Sequence, residues 1–135
     1  MTEAIQAQTY MDFTLGRPKR SLSQNFLIDV NIQKRIVNAL AAGPTDEVIE
    51  IGPGRGALTC HLEGVVSKLI LIELDDELAE MWSEKYRDHE DVQVLHGDVL
   101  KMPFWESVQD PSQVCVIGNI PYNITSPIIF RLLER

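Results

Sequence analysis

No apolar run in this 135-residue sequence approaches the length a membrane-spanning helix needs, and its first residues show no basic-then-apolar signal pattern. A cytoplasmic protein with no membrane partner is therefore the expectation. Cysteine is scarce. Cys60 falls on an expected helix and Cys115 in an expected strand, where both read as small buried apolar residues rather than a disulfide or a metal pair. His61, His89 and His96 share no ligand-like spacing with them, so no metal is expected. Repeats and low-complexity segments are absent too. Basic residues are outnumbered, with 12 Lys and Arg against 20 Asp and Glu and a net charge of −8, a balance that by itself disfavours a nucleic-acid binder.

That charge is unevenly placed. Residues 1–43 carry a net +2 and residues 44–135 a net −10. The basic part is concentrated at Arg17, Lys19 and Arg20, then Lys34 and Arg35, which suits either a solvated face or a phosphate contact. The acidic remainder suits a cationic ligand. Hydrophobic content of 44% and charged content of 24% are those of an ordinary globular chain, and the length fits one domain with a real core.

Residues 1–16 lack periodicity and read as a flexible lead-in. Asp29 suits the N-cap of a first helix, with Ile32, Ile36, Val37 and Leu40 on one face and Gly43-Pro44 as its stop. Strand and helix then alternate. Glu47 to Ile51 reads as a strand, and the helix after Gly56 is expected to bury Leu58, Leu62 and Val65. Leu69 to Glu73 is an apolar run closed by an acid, so a strand buried on both faces is expected. Asp75 or Asp76 caps the next helix, along which Leu78, Trp82 and Tyr86 recur near helical spacing. Val92 to Leu95 and Val114 to Ile117 are further strands, separated by a mixed stretch broken by Pro103 and Pro111. Ser126 as N-cap and Pro127 at a first helical position announce a last helix with Ile128, Ile129, Leu132 and Leu133 apolar. The order is that of the first half of a doubly wound parallel sheet, a Rossmann-like α/β fold. Four strands with an apolar edge left uncovered predict a piece of a longer polypeptide.

In such a sheet, ligands sit beyond the C-terminal strand ends. Four features fall there: the turn Gly52-Pro53-Gly54-Arg55-Gly56, Glu73, Asp98, and Asn119-Ile120-Pro121-Tyr122. Glu73 lies 21 residues after Gly52, the usual interval for an acid that accepts hydrogen bonds from both ribose hydroxyls. Asp98 can accept one from an adenine amine. The turn lacks the Lys and Ser/Thr of a phosphate-binding P-loop, and its acidic setting favours a sulfonium over a pyrophosphate. S-adenosyl-L-methionine fits better than NAD. The amide oxygen of Asn119 and a backbone carbonyl near Ile120 or Pro121 can each accept an N–H from an exocyclic base amine. Its lone pair is then freed for in-line attack on a methyl group. Pro121 stiffens the turn, and Tyr122 offers a face for an extruded base.

Gln24-Asn25-Phe26-Leu27, Glu50-Ile51-Gly52-Pro53-Gly54-Arg55-Gly56, Ile72-Glu73-Leu74-Asp75, Gly97-Asp98 and Asn119-Ile120-Pro121-Tyr122-Asn123-Ile124 together resemble the ribosomal RNA adenine dimethyltransferases. The likeness is nearest to the bacterial 16S rRNA dimethyladenosine transferases and runs from about Arg17 to Arg135. It implies a class I S-adenosylmethionine-dependent methyltransferase fold in which residues 17–135 are the front of the catalytic domain. On that likeness, the family's later strands and C-terminal helical domain are expected to have no counterpart within residues 17–135.

By that resemblance Asn25 and Leu27 close over the methionine end of the cofactor. Gly52 and Gly54 line its floor, Glu73 holds the ribose, and Asp98 takes the adenine amine. Asn119 sits between cofactor and target base, with Pro121 and Tyr122 completing the catalytic turn. The implied partner is 16S rRNA in a small-subunit precursor, the full-length enzyme is expected to be a monomer, and this stretch alone is expected to be inactive. The 23S rRNA adenine methyltransferases of the macrolide-resistance type share every one of these motifs. Ser126-Pro127-Ile128 and the long lead-in favour the 16S reading. A non-catalytic RNA-binding or ribosome-assembly module is the alternative of another class.

Overall fold

Asp29 opens the first helix as the sequence predicts, its carboxylate accepting the N–H groups of Asn31 at 2.9 Å and Ile32 at 3.3 Å. The structure, a computed structural model, describes residues 29–118 and 122–133. Helix α1 (Val30–Leu40) ends on Ala41 in the left-handed region, just short of the expected Gly43-Pro44 stop. Strand β1 (Glu47–Ile51) follows, then a short helix α2 (Thr59–Leu62), strand β2 (Lys68–Glu73) and helix α3 (Asp76–Lys85). Asp75 is the cap of α3, accepting the Leu78 N–H at 3.0 Å. Strand β3 (Val92–His96), two single-turn 3-10 segments, strand β4 (Val114–Gly118) and helix α4 (Tyr122–Leu133) complete the described chain.

All four strands are parallel, in the order β3-β2-β1-β4. Side chains alternate across them, so each strand feeds two cores. On one face Val48, Leu69, Leu71 and Ile117 meet Ile36 and Leu40 of α1, Leu62 of α2 and Trp82 of α3. On the other, Ile49, Ile51, Ile70, Ile72 and Val116 meet Val99 and Phe104 of the β3–β4 connection and Ile128 and Leu132 of α4. Each such aliphatic side chain contributes about 1.5–3 kcal/mol on burial. The sheet is thus covered on both sides, which is why Leu69 to Ile72 in β2 and Val114 to Ile117 in β4 read as unbroken apolar runs. β4 pairs only with β1 among the described residues.

Four local expectations are corrected. Val65 is exposed and Val66 is buried in its place, because α2 ends at Leu62 and Glu63 turns into extended backbone before the helical count reaches Val65. Cys60 is exposed, since α2 turns Thr59 and Leu62 inward, and Cys115 is half-buried; both thiols are free. Ser126 is not a cap and Pro127 does not open a helix, because α4 already begins at Tyr122. Pro127 lies on the exposed face, where water can satisfy the interrupted ladder, while buried Ile128 and Leu132 dock the helix. Those two residues, four apart, claim the inward face and leave Leu133 exposed.

Candidate functional site

The chain leaves β1 towards β2 on one side and returns to β4 on the other, so the sheet's order reverses beside the C-terminal end of β1. That is where an open parallel sheet leaves a crevice. Ile51, the last residue of β1, pairs with Ile72 in β2 and with Gly118 in β4, and Glu73 pairs with His96 in β3. The four strand ends are therefore level, and the glycine turn sits between its neighbours.

Local backbone chemistry shapes that turn. Gly52 extends the ladder by donating its N–H to Ile72 C=O at 2.8 Å, and Gly56 N–H closes the turn on Pro53 C=O at 2.9 Å. Among the described residues a Cβ built on Gly52 would meet nothing within 4 Å, so they leave room above it for a ligand. At Gly56 the case is reversed. Its φ is +90°, and a Cβ there would fall 2.5 Å from Cη2 of Trp82. One glycine of the turn leaves room outside, and the other makes room inside.

Glu73 is buried, and its two carboxylate oxygens do different things. Oε1 accepts the Gly54 N–H at 3.0 Å and Oε2 accepts the Asp75 N–H at 3.1 Å. A carboxylate offers about four acceptor directions, so its two bonds to described residues leave two for ligand hydroxyls. The backbone contacts fix the orientation of the acid in advance. Gly97 N–H donates to Glu73 C=O at 2.9 Å, which sets Asp98 at the adjoining strand end. Asp98 is half-buried, and one of its oxygens accepts the Leu100 N–H at 2.9 Å. His96 and Asp76 join the end of β3 to the start of α3 at 2.7 Å.

Gly52, Gly54 and Glu73 are thus brought together, with Asp98 one strand further on. Asn25, Leu27, Asn119 and Pro121 lie outside the described residues; Tyr122 opens α4, and its side chain lies outside them as well.

Three residues around the crevice carry features the sequence does not single out. Leu74 is 67% exposed between two acids, an apolar surface at the mouth of the crevice. Its signal was an apolar residue interrupting an acidic run. Trp82 donates its indole N–H to Gly54 C=O at 3.0 Å, although helical spacing marked it only as core. Glu50 is fully buried beneath the turn and accepts the Thr59 hydroxyl at 2.6 Å. Burial pushes its carboxyl up to about 7; the Thr59 bond pulls it down and the charge of Glu73 adds to the rise. An acid inside the apolar run Glu47 to Ile51 was the available clue. Among the described residues no group of His, Cys, Asp and Glu could hold a metal ion, and no helix is long and apolar enough to cross a membrane.

This arrangement has known counterparts. The family described as Ribosomal RNA adenine dimethylase matches residues 16–135. Ribosomal RNA small subunit methyltransferase A of Bacillus cytotoxicus is 42% identical over 121 residues, covering 87% of this chain and 41% of that protein. Its namesake from Pseudomonas putida is 40% identical over 119 residues, covering 88% and 45%. The chain therefore spans less than half the length of these curated relatives. Among solved structures, a dimethyladenosine transferase from Plasmodium falciparum aligns with a TM-score of 0.64 at 29% identity, over 79% of this chain and 38% of that one. The 23S rRNA methyltransferase ErmE aligns with a TM-score of 0.64 at 32% identity, over 78% and 41%. With a class I methyltransferase sheet, a glycine turn keyed to an acid on the neighbouring strand, and this match along nearly its whole length, the chain belongs to the ribosomal RNA adenine dimethylase family.

Proposed function

We propose that this chain forms the methyl-donor half of an S-adenosylmethionine-dependent enzyme that dimethylates adenine N6 in small-subunit rRNA. The observation that carries the reading is Glu73, held by the N–H groups of Gly54 and Asp75 with acceptor capacity to spare at the sheet's crevice. That is the chemistry a free ribose requires, two hydroxyl donors meeting one fixed carboxylate. Leu74 supplies an apolar surface for an adenine face, and Asp98 an acceptor for its amine. The bound cofactor supplies an electrophilic methyl group on a sulfonium, and the acids at the strand ends favour that positive charge.

The remaining roles rest on sequence. Asn119 accepts an N–H of the target amine through its amide oxygen, and a carbonyl at Ile120 or Pro121 accepts the other. Both bonds turn the nitrogen's lone pair out of conjugation, so positioning and charge placement replace a strong base. Tyr122 stacks against the extruded adenine. Asn25 and Leu27 close over the methionine end. The small-subunit target is supported by the names of the relatives at 40–42% identity. A 23S target is the second reading, supported by the alignment with ErmE.

Methyl incorporation from labelled S-adenosylmethionine into small-subunit and large-subunit rRNA precursors tests the proposal in a polypeptide of the relatives' full length. Incorporation into the small-subunit RNA is expected, abolished by Asn119→Ala while cofactor affinity stays within about tenfold. Near-normal turnover by that variant contradicts the mechanism. Incorporation into the large-subunit RNA alone moves the assignment to the second reading.

A further inference from the structure

The Gly54 backbone is held from two directions by two different elements. Its N–H points to Glu73 on β2, and its C=O accepts the Trp82 indole N–H from α3 at 3.0 Å. These two groups belong to the peptide planes on either side of one Cα, so the pair of bonds sets both torsions of a residue at φ +57°. Trp82 itself has little freedom. It is buried, stacks on Tyr86 with centroids 5.7 Å apart, carries the Lys85 ammonium 5.4 Å from its ring centre, and occupies the space a Cβ on Gly56 would fill. Tyr86 is tied in turn by its hydroxyl to Glu63 at 3.1 Å. A core ring would need only apolar contacts, but this one spends its only donor on the turn of the ligand crevice.

We propose that Trp82 is a positioning residue for the nucleoside of the methyl donor, presetting Gly54 so that the open face of Gly52 and the Glu73 carboxylate meet the ligand together. The proposal rests on the cofactor reading above. It adds that α3, which touches no ligand in that reading, sets the affinity of the crevice.

Calorimetric titration of the chain with S-adenosylhomocysteine, alongside Trp82→Phe, separates the two claims. Phenylalanine keeps a flat apolar ring and removes the donor. Expected is a cooperatively folded variant whose affinity is about tenfold weaker, the net worth of one hydrogen bond. Equal affinity in the two proteins overturns the role of Trp82 and leaves the cofactor reading standing; absence of binding by the unaltered chain overturns both. Should Trp82→Phe not fold, the indole N–H resonance of Trp82 is followed in Trp105→Phe, which retains a single indole because the sequence has 2 tryptophans. Saturating S-adenosylhomocysteine is expected to shift it, whereas an unmoved resonance overturns the proposal.

Discussion

Glu73 and Gly54 are joined by a 3.0 Å hydrogen bond across 19 positions of sequence, so the acid ending one strand shapes the turn ending its neighbour. The same carboxylate that the sequence assigns to a ribose is therefore also part of the scaffold. Replacing it is expected to disturb the turn as well as remove a ligand contact. Trp82, behind the turn, holds the other side of Gly54. The crevice is set by β1, β2 and α3 jointly.

Glu50 makes stability depend on pH. Its folded pKa of about 7 stands above the ordinary 4.5, so between those values the folded chain keeps a proton that the unfolded chain has released. The neutral acid's stabilisation is complete below the unfolded value and is lost as pH rises through the folded one. At about 1.4 kcal/mol per pH unit, the effect is about 3 kcal/mol. Glu50→Gln keeps an acceptor for Thr59 and abolishes the titration. Urea unfolding should show that variant more stable than the parent by about 3 kcal/mol near pH 8, with the gap closing towards about pH 4. A gap independent of pH contradicts the assignment.

Gly56→Ala is expected to destabilise the chain by about 2–4 kcal/mol, combining left-handed strain with overpacking. The new methyl group would fall 2.5 Å from a pinned indole, so the ring or the turn has to move. Thermal unfolding measures the loss, and a melting point equal to the parent's would show that Trp82 is not held as described. Gly52→Ala meets no such neighbour among the described residues, and there carries only the backbone strain.

Glu47 provides a contrast at the opposite end of β1. Buried there, it accepts the N–H of Gln109 with both oxygens at 3.0 Å and that of Asp110 at 2.8 Å, strapping the β3–β4 connection to the sheet. Glu47→Ala should cost about 1–3 kcal/mol of stability by chemical denaturation. Affinity for S-adenosylhomocysteine should be unchanged, because the crevice lies at the far ends of the strands. A large loss of affinity in a folded variant would contradict that separation.

β2 and β4 were legible because a sheet covered on both faces writes continuous apolar runs, and α1 and α3 because Asp29 and Asp75 are strong caps with periodic residues behind them. α2 was not. Four residues cannot show a helical period, and Val65 was counted inward where Val66 is. Pro127 looked like a helix start because proline is costless only in a first turn, yet α4 carries it on an exposed face. At the candidate crevice, the positions of Gly52, Gly54, Glu73 and Asp98 follow from the order of strand ends. The Trp82 indole bond does not, because periodicity reports which face a residue occupies and is silent on where its one polar atom points. The grip of Glu73 on Gly54 is not legible either, since the 21-residue interval from Gly52 to Glu73 marks the acid only as a ribose acceptor.

Whether Glu73 holds the nucleoside is decided by calorimetric titration of S-adenosylhomocysteine into the chain and into Glu73→Ala. Saturable binding by the parent is expected, weakened in Glu73→Ala by roughly 1–3 kcal/mol as two ribose hydroxyls lose their acceptor. Undiminished affinity in a folded Glu73→Ala, or no binding by the parent, would contradict it.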